Sequence, residues 1–169
     1  MDPIVQRLLD ESEIRQVLAR YTRAIDRADD ELLRTCYHPD AHDVHGDFSG
    51  TIDEFVEYLR HRRGRTAAST HFIGNQVIEL DGDRAWTETY CLVWLRFAAD
   101  GDPPERDRFV PVRYCDRFER RAGGWRIADR ITVYSPGRID PVVQGAEVDG
   151  FVGGRRDRDD PAYRAMRER

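Results

Sequence analysis

The apolar positions of the chain keep two different periods. Over residues 10–28 they recur as in an amphipathic helix, with Ile14, Val17, Leu18, Tyr21, Ile25 and Ala28 on one continuous face. Residues 1–9 read as a short lead-in, with Pro3 suited to a first helical position. Asp29 and Asp30 open a second, short helix through Leu32, Leu33 and Cys36, which His38-Pro39-Asp40 breaks. A short strand over 41–45 and a turn at Gly46-Asp47 follow. Thr51-Ile52-Asp53-Glu54 is a capping box. It starts a third helix with Phe55, Tyr58 and Leu59 inward and Gly64 as its stop.

Beyond Gly64 the period changes to two. The alternation predicts strands over 67–73, 75–81, 84–99, 106–120 and 125–134. They are divided at Asp81-Gly82-Asp83, at Asp100-Gly101-Asp102-Pro103-Pro104 and at Gly123-Gly124. Strands joined by such short turns are antiparallel. Helices first and long strands after is an α+β layout, and a sheet with few helices to cover it must curl around them. The tail turns glycine-rich, then charged at Arg155-Arg156-Asp157-Arg158-Asp159-Asp160. One domain over 1–136 and a partly disordered C-terminal arm over 137–169 are therefore expected.

Composition narrows the function. The chain has 169 residues, 40% hydrophobic and 35% charged, enough for one domain with a real core. The net charge of -5 argues against nucleic-acid or anionic-membrane partners. No apolar run reaches the roughly 18 residues of a membrane span. The start, MDPIVQRLLDESEIRQ, lacks the layout of a secretion signal, so a cytoplasmic protein is expected. Cys36, Cys91 and Cys115 form no CxxC pair and read as free thiols in a reducing compartment. All 27 basic residues are arginine, which excludes Schiff-base chemistry on a lysine of this chain. No GxGxxG, P-loop or GxSxG motif occurs, and no cofactor is expected. His42 and His45 would point to opposite faces of a strand, so no metal site is expected from the histidine-rich tract over 38–47. His38, His42 and His61 read as surface histidines.

Four stretches resemble a known family. They are IRQVLARYTRAIDRAD from Ile14, CYHPDAHDVHGDFSG from Cys36, STHF from Ser69, and GWRI from Gly124 with Arg130 beyond it. Over residues 8–136 they resemble the SnoaL-like branch of the NTF2-like superfamily. Within it the pattern is most similar to scytalone dehydratase, bile-acid 7α-dehydratase and hexachlorocyclohexane dehydrochlorinase. The resemblance implies a conical α+β barrel, in which a bent antiparallel sheet wraps the N-terminal helices around a deep pocket. It also implies that Asp26 pairs with His71, with Tyr21 and Arg130 completing the catalytic group.

The residues themselves leave alternatives open. A carboxylate on one nitrogen of an imidazole fixes its tautomer and makes the other nitrogen a base. Yet Asp26 lies about 120° from Ile14 on a helical wheel, off the apolar stripe, which also suits a carboxylate facing water. His71 alone fits a strand histidine satisfied by its neighbours. Tyr21, on the stripe, suits either core packing or a hydrogen bond to a substrate oxygen. Arg130 shares its strand face with Arg126 and Thr132 and is either solvated or turned into a pocket.

His45 is expected at the pocket mouth, and Trp86, Tyr90, Trp94 and Tyr114 along its wall, suiting a small hydrophobic substrate of polycyclic or steroid-like type. The expected function is that of a cofactor-independent lyase or isomerase, dehydratase-like. The alternative is a non-catalytic ligand-binding module, or a scaffold like the beta subunits of ring-hydroxylating dioxygenases. A homo-oligomer is expected, a trimer before a dimer, because the dehydratase relatives are trimers and an open apolar sheet face needs a partner.

Overall fold

In the computed structural model, which describes residues 2–99, 104–142 and 150–163, the chain opens with helix α1 (Pro3–Arg27). It starts earlier than the apolar period suggests. Asp2 accepts the Ile4 amide at 2.7 Å, and Glu11 pairs with Arg7 and Arg15, one turn to either side. Local bonds therefore make the lead-in helical while Ile4 and Leu8 stay exposed. Ala28 ends the helix in the left-handed region, and its amide returns to the Ala24 and Ile25 carbonyls. Asp29 then caps α2 (Asp30–Thr35) by accepting the Leu32 amide. Helix α3 (Ile52–Arg63) starts at the capping box formed by Thr51 and Glu54.

The strands are β1 (Tyr37–His45), β2 (Phe48–Thr51), β3 (Thr66–Asp81), β4 (Arg84–Phe97), β5 (Arg106–Arg121), β6 (Gly124–Tyr134) and β7 (Arg138–Pro141). They form one sheet in the order β2-β1-β6-β5-β4-β3, with β7 pairing β5. All pairs are antiparallel except β1 with β6, which is parallel.

Several boundaries differ from the sequence reading. His38-Pro39-Asp40 is not a break but part of β1. Pro39 falls where the β1–β6 register shifts between Tyr37 and His42, so its missing amide interrupts no regular ladder. The two strands expected over 67–81 are one, β3, bulged between Ile73 and Gln76. Strands β2 and β7 carry too few residues for a periodic signal. Within the expected arm, residues 143–149 and 164–169 lie outside the described residues. Residues 150–163 pack back on the helices: Tyr163 and Arg158 bond Asp29, and Arg27 pairs with Asp160.

The sheet curls around α1, which rests on β3 and β6. Ile14, Val17, Leu18, Phe55, Phe118, Trp125 and Ile127 form the core. Trp125 clamps helix to sheet, its indole N–H donating to Asp10 at 2.9 Å and its amide to Glu13 at 3.0 Å. Gly124 is needed beside it: φ is 100°, and a Cβ would run into the Glu13 carboxylate. No helix among the described residues is long and apolar enough to cross a membrane.

One irregularity sets the site. Phe118 pairs with Ile127 but Arg117 with Asp129, so Ala128 is an extra residue in β6. A bulge of this kind reverses the alternation of side chains. Trp125 and Ile127 face the core before it, and Arg130 and Thr132 face inward after it.

Candidate active site

A cavity of about 710 Å³ opens between α1, α3 and the inner face of the sheet. Leu33, Phe55, Val93, Leu95, Val110 and Val112 give it apolar walls, and Tyr21, His45, Ser69, His71, Tyr114 and Thr132 bring polar groups to it. An apolar chamber of this size with a few converging polar groups suits a small organic ligand.

His71 comes to the cavity from β3, where it pairs across the sheet with the inward-facing Val93. Asp26 stands behind it on the last turn of α1, nearly buried. The carboxylate grips His71 twice. Oδ2 accepts the His71 backbone amide at 2.9 Å, and Oδ1 lies 2.7 Å from ring Nδ1. A carboxylate can only accept, so Nδ1 carries the proton and the lone pair falls on Nε2. Among the described residues Nε2 has no hydrogen-bond partner. The His71 side chain is 9% exposed, which keeps bulk water from competing for that lone pair.

Tyr21 lies one and a half turns before Asp26, and its ring meets those of Tyr37 and Tyr114 edge-on at 6.1 and 5.4 Å. Burial pushes the Tyr21 hydroxyl well above the ordinary tyrosine range, against the pull of Arg130. It therefore stays a proton donor at any physiological pH. Burial raises Tyr114 in the same direction.

Arg130 does not line the cavity, contrary to the pocket role considered for it. Fully buried, it donates to both oxygens of Asp116 at 2.7 Å and to the Tyr37 hydroxyl at 3.3 Å. Its guanidinium carbon lies 4.1 Å from the Tyr21 ring centre and 4.2 Å from that of Tyr114. Burial opposes the charge, but Asp116 and the tyrosines outweigh it and hold the guanidinium above its ordinary value. Tyr37 in turn donates to Asp43 at 2.6 Å. The cation thus acts on the cavity through the tyrosine rings.

The structure brings Tyr21, His71, His45 and Tyr114 to the cavity, with Asp26 directly behind. Three expected wall residues are absent from it. Trp86 and Tyr90 are about half exposed on the outer face, and Trp94 shares their parity and stacks on Arg96 there. The inner face of β4 carries smaller residues, Ala85, Thr87, Thr89, Cys91 and Val93. His38 is a further correction: it is buried, with Nε2 bonded to the Glu119 carbonyl. His42 bonds Ser49 outside, whereas His45 turns to the cavity and bonds Thr132 at 3.1 Å. Among the described residues no group of three His, Cys, Asp or Glu side chains is disposed to hold a metal.

The sequence reading missed Ser69, Asp116 and Tyr37. Ser69 was within reach of it, since a residue two before His71 on a strand shares its face. Its buried hydroxyl has no partner among the described residues.

The sequence profile of the SnoaL-like domain matches residues 6–131. An uncharacterised protein of Mycobacterium tuberculosis, Rv2910c, is 30% identical over 130 residues, covering 75% of this chain and 86% of that one. Among solved structures, a type 2 hexachlorocyclohexane dehydrochlorinase (LinA) superposes with a TM-score of 0.74 at 16% identity, over 87% of this chain and 99% of that one. A scytalone dehydratase-like protein from Novosphingobium aromaticivorans gives 0.70 at 18% identity, over 87% and 97%. These two similarities establish the fold. The α+β, NTF2-like barrel is the one the resemblance implied, and the chain belongs to the SnoaL-like family.

Proposed function

We propose that this SnoaL-like protein is a cofactor-independent lyase or isomerase acting on a small, flat, apolar substrate of polycyclic or steroid-like type. The observation that carries the reading is the Asp26–His71 pair at 2.7 Å on the wall of an apolar cavity that Tyr21 also lines.

In this reading His71 Nε2 takes a proton from a carbon next to a carbonyl. Asp26 holds the ring in the one tautomer that can do so and steadies the imidazolium that forms. The C–H electron pair moves toward the carbonyl, whose oxygen gains charge and accepts a hydrogen bond from Tyr21. Arg130, 4.1 Å from the Tyr21 ring, makes that hydroxyl a stronger donor. In an elimination the enolate electrons form the new C=C bond, the C–O bond at the next carbon breaks, and the proton on His71 leaves with the hydroxyl as water. In an isomerisation the same proton returns to a different carbon. A pure binding module would need no such pair, and tight binding without turnover would favour that alternative.

The outer sheet face exposes Phe72, Val77, Trp86, Tyr90 and Leu92, which supports assembly as a homo-oligomer, a trimer before a dimer. Three free thiols, two of them buried, support a cytoplasmic setting.

The test is a panel of apolar β-hydroxy ketones and β,γ-unsaturated ketones in heavy water, followed by absorbance of the conjugated product and by proton NMR. Turnover or deuterium uptake by the wild type and not by His71→Ala supports the reading. Solvent-level exchange by both overturns it.

A further inference from the structure

We infer that the mouth of the cavity is an oxyanion site, so that the substrate carries a carboxylate or phosphoryl group at the end remote from the carbon facing His71. This deepens the proposed function and takes its substrate cavity from there.

The cavity is lined by six arginines and, among the described residues, by one acid, Asp47, although the chain as a whole carries a net charge of -5. Two of the six are already matched: Arg62 with Asp47, and Arg63 with Asp30. The other four, Arg65, Arg106, Arg108 and Arg156, have no carboxylate partner among the described residues.

The topology brings these four together. Thr66 pairs with Phe97, and Phe97 with Arg106, so Arg65, Thr66 and Arg106 span adjacent strands at one end of the barrel. Arg108 lies two residues on from Arg106, on the same face of β5. Arg156 arrives from the C-terminal arm and donates to the Thr66 carbonyl at 2.9 Å. The Nε atoms of Arg106 and Arg156 are both buried without a hydrogen-bond partner among the described residues. A buried, unpaired guanidinium nitrogen is costly, and a bound oxyanion is what would satisfy it.

Along β5 the inner face then runs from Arg106 and Arg108 through Val110 and Val112 to Tyr114. His71 lies level with Val110 through Val93, so Arg106 stands four residues along β5 from the level of the base, with Val112 and Tyr114 on the other side of that level. Burial, with Arg63 and Arg27 nearby, already lowers the Arg156 guanidinium against the pull of Asp26, the direction that a bound anion would reverse.

The test is binding, with turnover playing no part, so that it stands or falls apart from the role of His71. Three probes share one four-ring body: deoxycholate, its neutral methyl ester, and a phosphate monoester of the corresponding side-chain alcohol. Each is titrated calorimetrically into wild type, Arg106→Met, Arg156→Met and the exposed control Arg138→Ala, with circular dichroism to verify folding. The expected result is that a charged probe binds wild type and control at least about tenfold tighter than the ester, the worth of one charge-assisted hydrogen bond. Both cavity variants should lose most of that margin while still binding the ester. Which charged probe binds tighter tells carboxylate from phosphoryl. An ester that binds as tightly as the charged probes, a margin that survives both variants, or no binding of any probe at millimolar concentration would overturn the inference. Misfolding of one variant leaves the other, and the salt dependence of wild-type binding, to decide.

Discussion

Arg130 lies 4.1 Å from the ring centre of Tyr21, and Asp116 on the neighbouring strand accepts from its Nε and Nη2 with both carboxylate oxygens. The buried cation is therefore an electrostatic support for the tyrosines of the cavity. Its removal leaves a carboxylate with no countercharge in the core. Arg130→Met should destabilise the fold by about 3–5 kcal/mol, the usual cost of breaking a buried pair. Arg130→Met with Asp116→Leu should recover most of that loss. Denaturant unfolding of the three variants checks this. A single variant as stable as wild type would show that the pair is dispensable.

Tyr21→Phe keeps the ring and its packing and removes only the hydroxyl. If that hydroxyl meets developing negative charge, kcat falls by about 100-fold or more while KM stays close to wild type. Steady-state kinetics on a substrate from the panel makes the distinction. A rise in KM alone would assign Tyr21 to ground-state binding.

Asp29 links α2 to the arm that supplies Arg156. Burial disfavours its charge, but the Leu32 amide, Tyr163 and Arg158 outweigh this and hold the carboxyl below the usual aspartate range. A carboxyl that is more acidic folded than unfolded contributes fully above its unfolded value. That contribution is lost as pH falls through the lower, folded value. Asp29→Ala should cost about 1 kcal/mol as a lost helix cap, somewhat more with the arm contacts, and flatten the stability profile at the acid end. Unfolding curves from neutral pH downward test the sign. Equal pH dependence in wild type and variant would contradict it.

Light scattering at micromolar concentration should give two or three chains, not the 19.7 kDa of one. Trp86→Glu with Tyr90→Glu places charge on the half-exposed outer face and should shift the mass to the monomer. An oligomer indifferent to both substitutions would put the interface elsewhere.

How far the site was legible in the sequence differs by residue. The stripe of α1, the capping box at Thr51 and the long strands follow from local rules, apart from the earlier start of α1 and the bulge that leaves β3 one strand. Asp26 does not, because a helical wheel assumes one buried face. Here the sheet wraps α1, and Thr22 and Asp26 are buried beside the stripe. Only the family resemblance singled out Asp26. Arg130 defeats strand parity because the extra residue at Ala128 turns it inward, and a bulge leaves no mark in the alternation. For Trp86, Tyr90 and Trp94 period two gave the shared face but could not say which face was inner. Size misled, since the inner face is the crowded one and takes small residues around α1. The arginine mouth joins residues from β5, the segment before β3 and the arm, a gathering that no local pattern encodes.

The measurement that bears most directly on the account is the rate of proton removal by Asp26→Asn, His71→Ala and the double variant, each followed across pH. A base must be unprotonated to act, so wild-type kcat/KM should rise from acid pH, and His71→Ala should lose that dependence. Each single substitution should lower it by at least about 100-fold, and the double should be hardly worse than the more damaged single, because both side chains serve one proton transfer. Losses that multiply in the double variant, or a His71→Ala protein with the wild-type rate and pH profile, would contradict it.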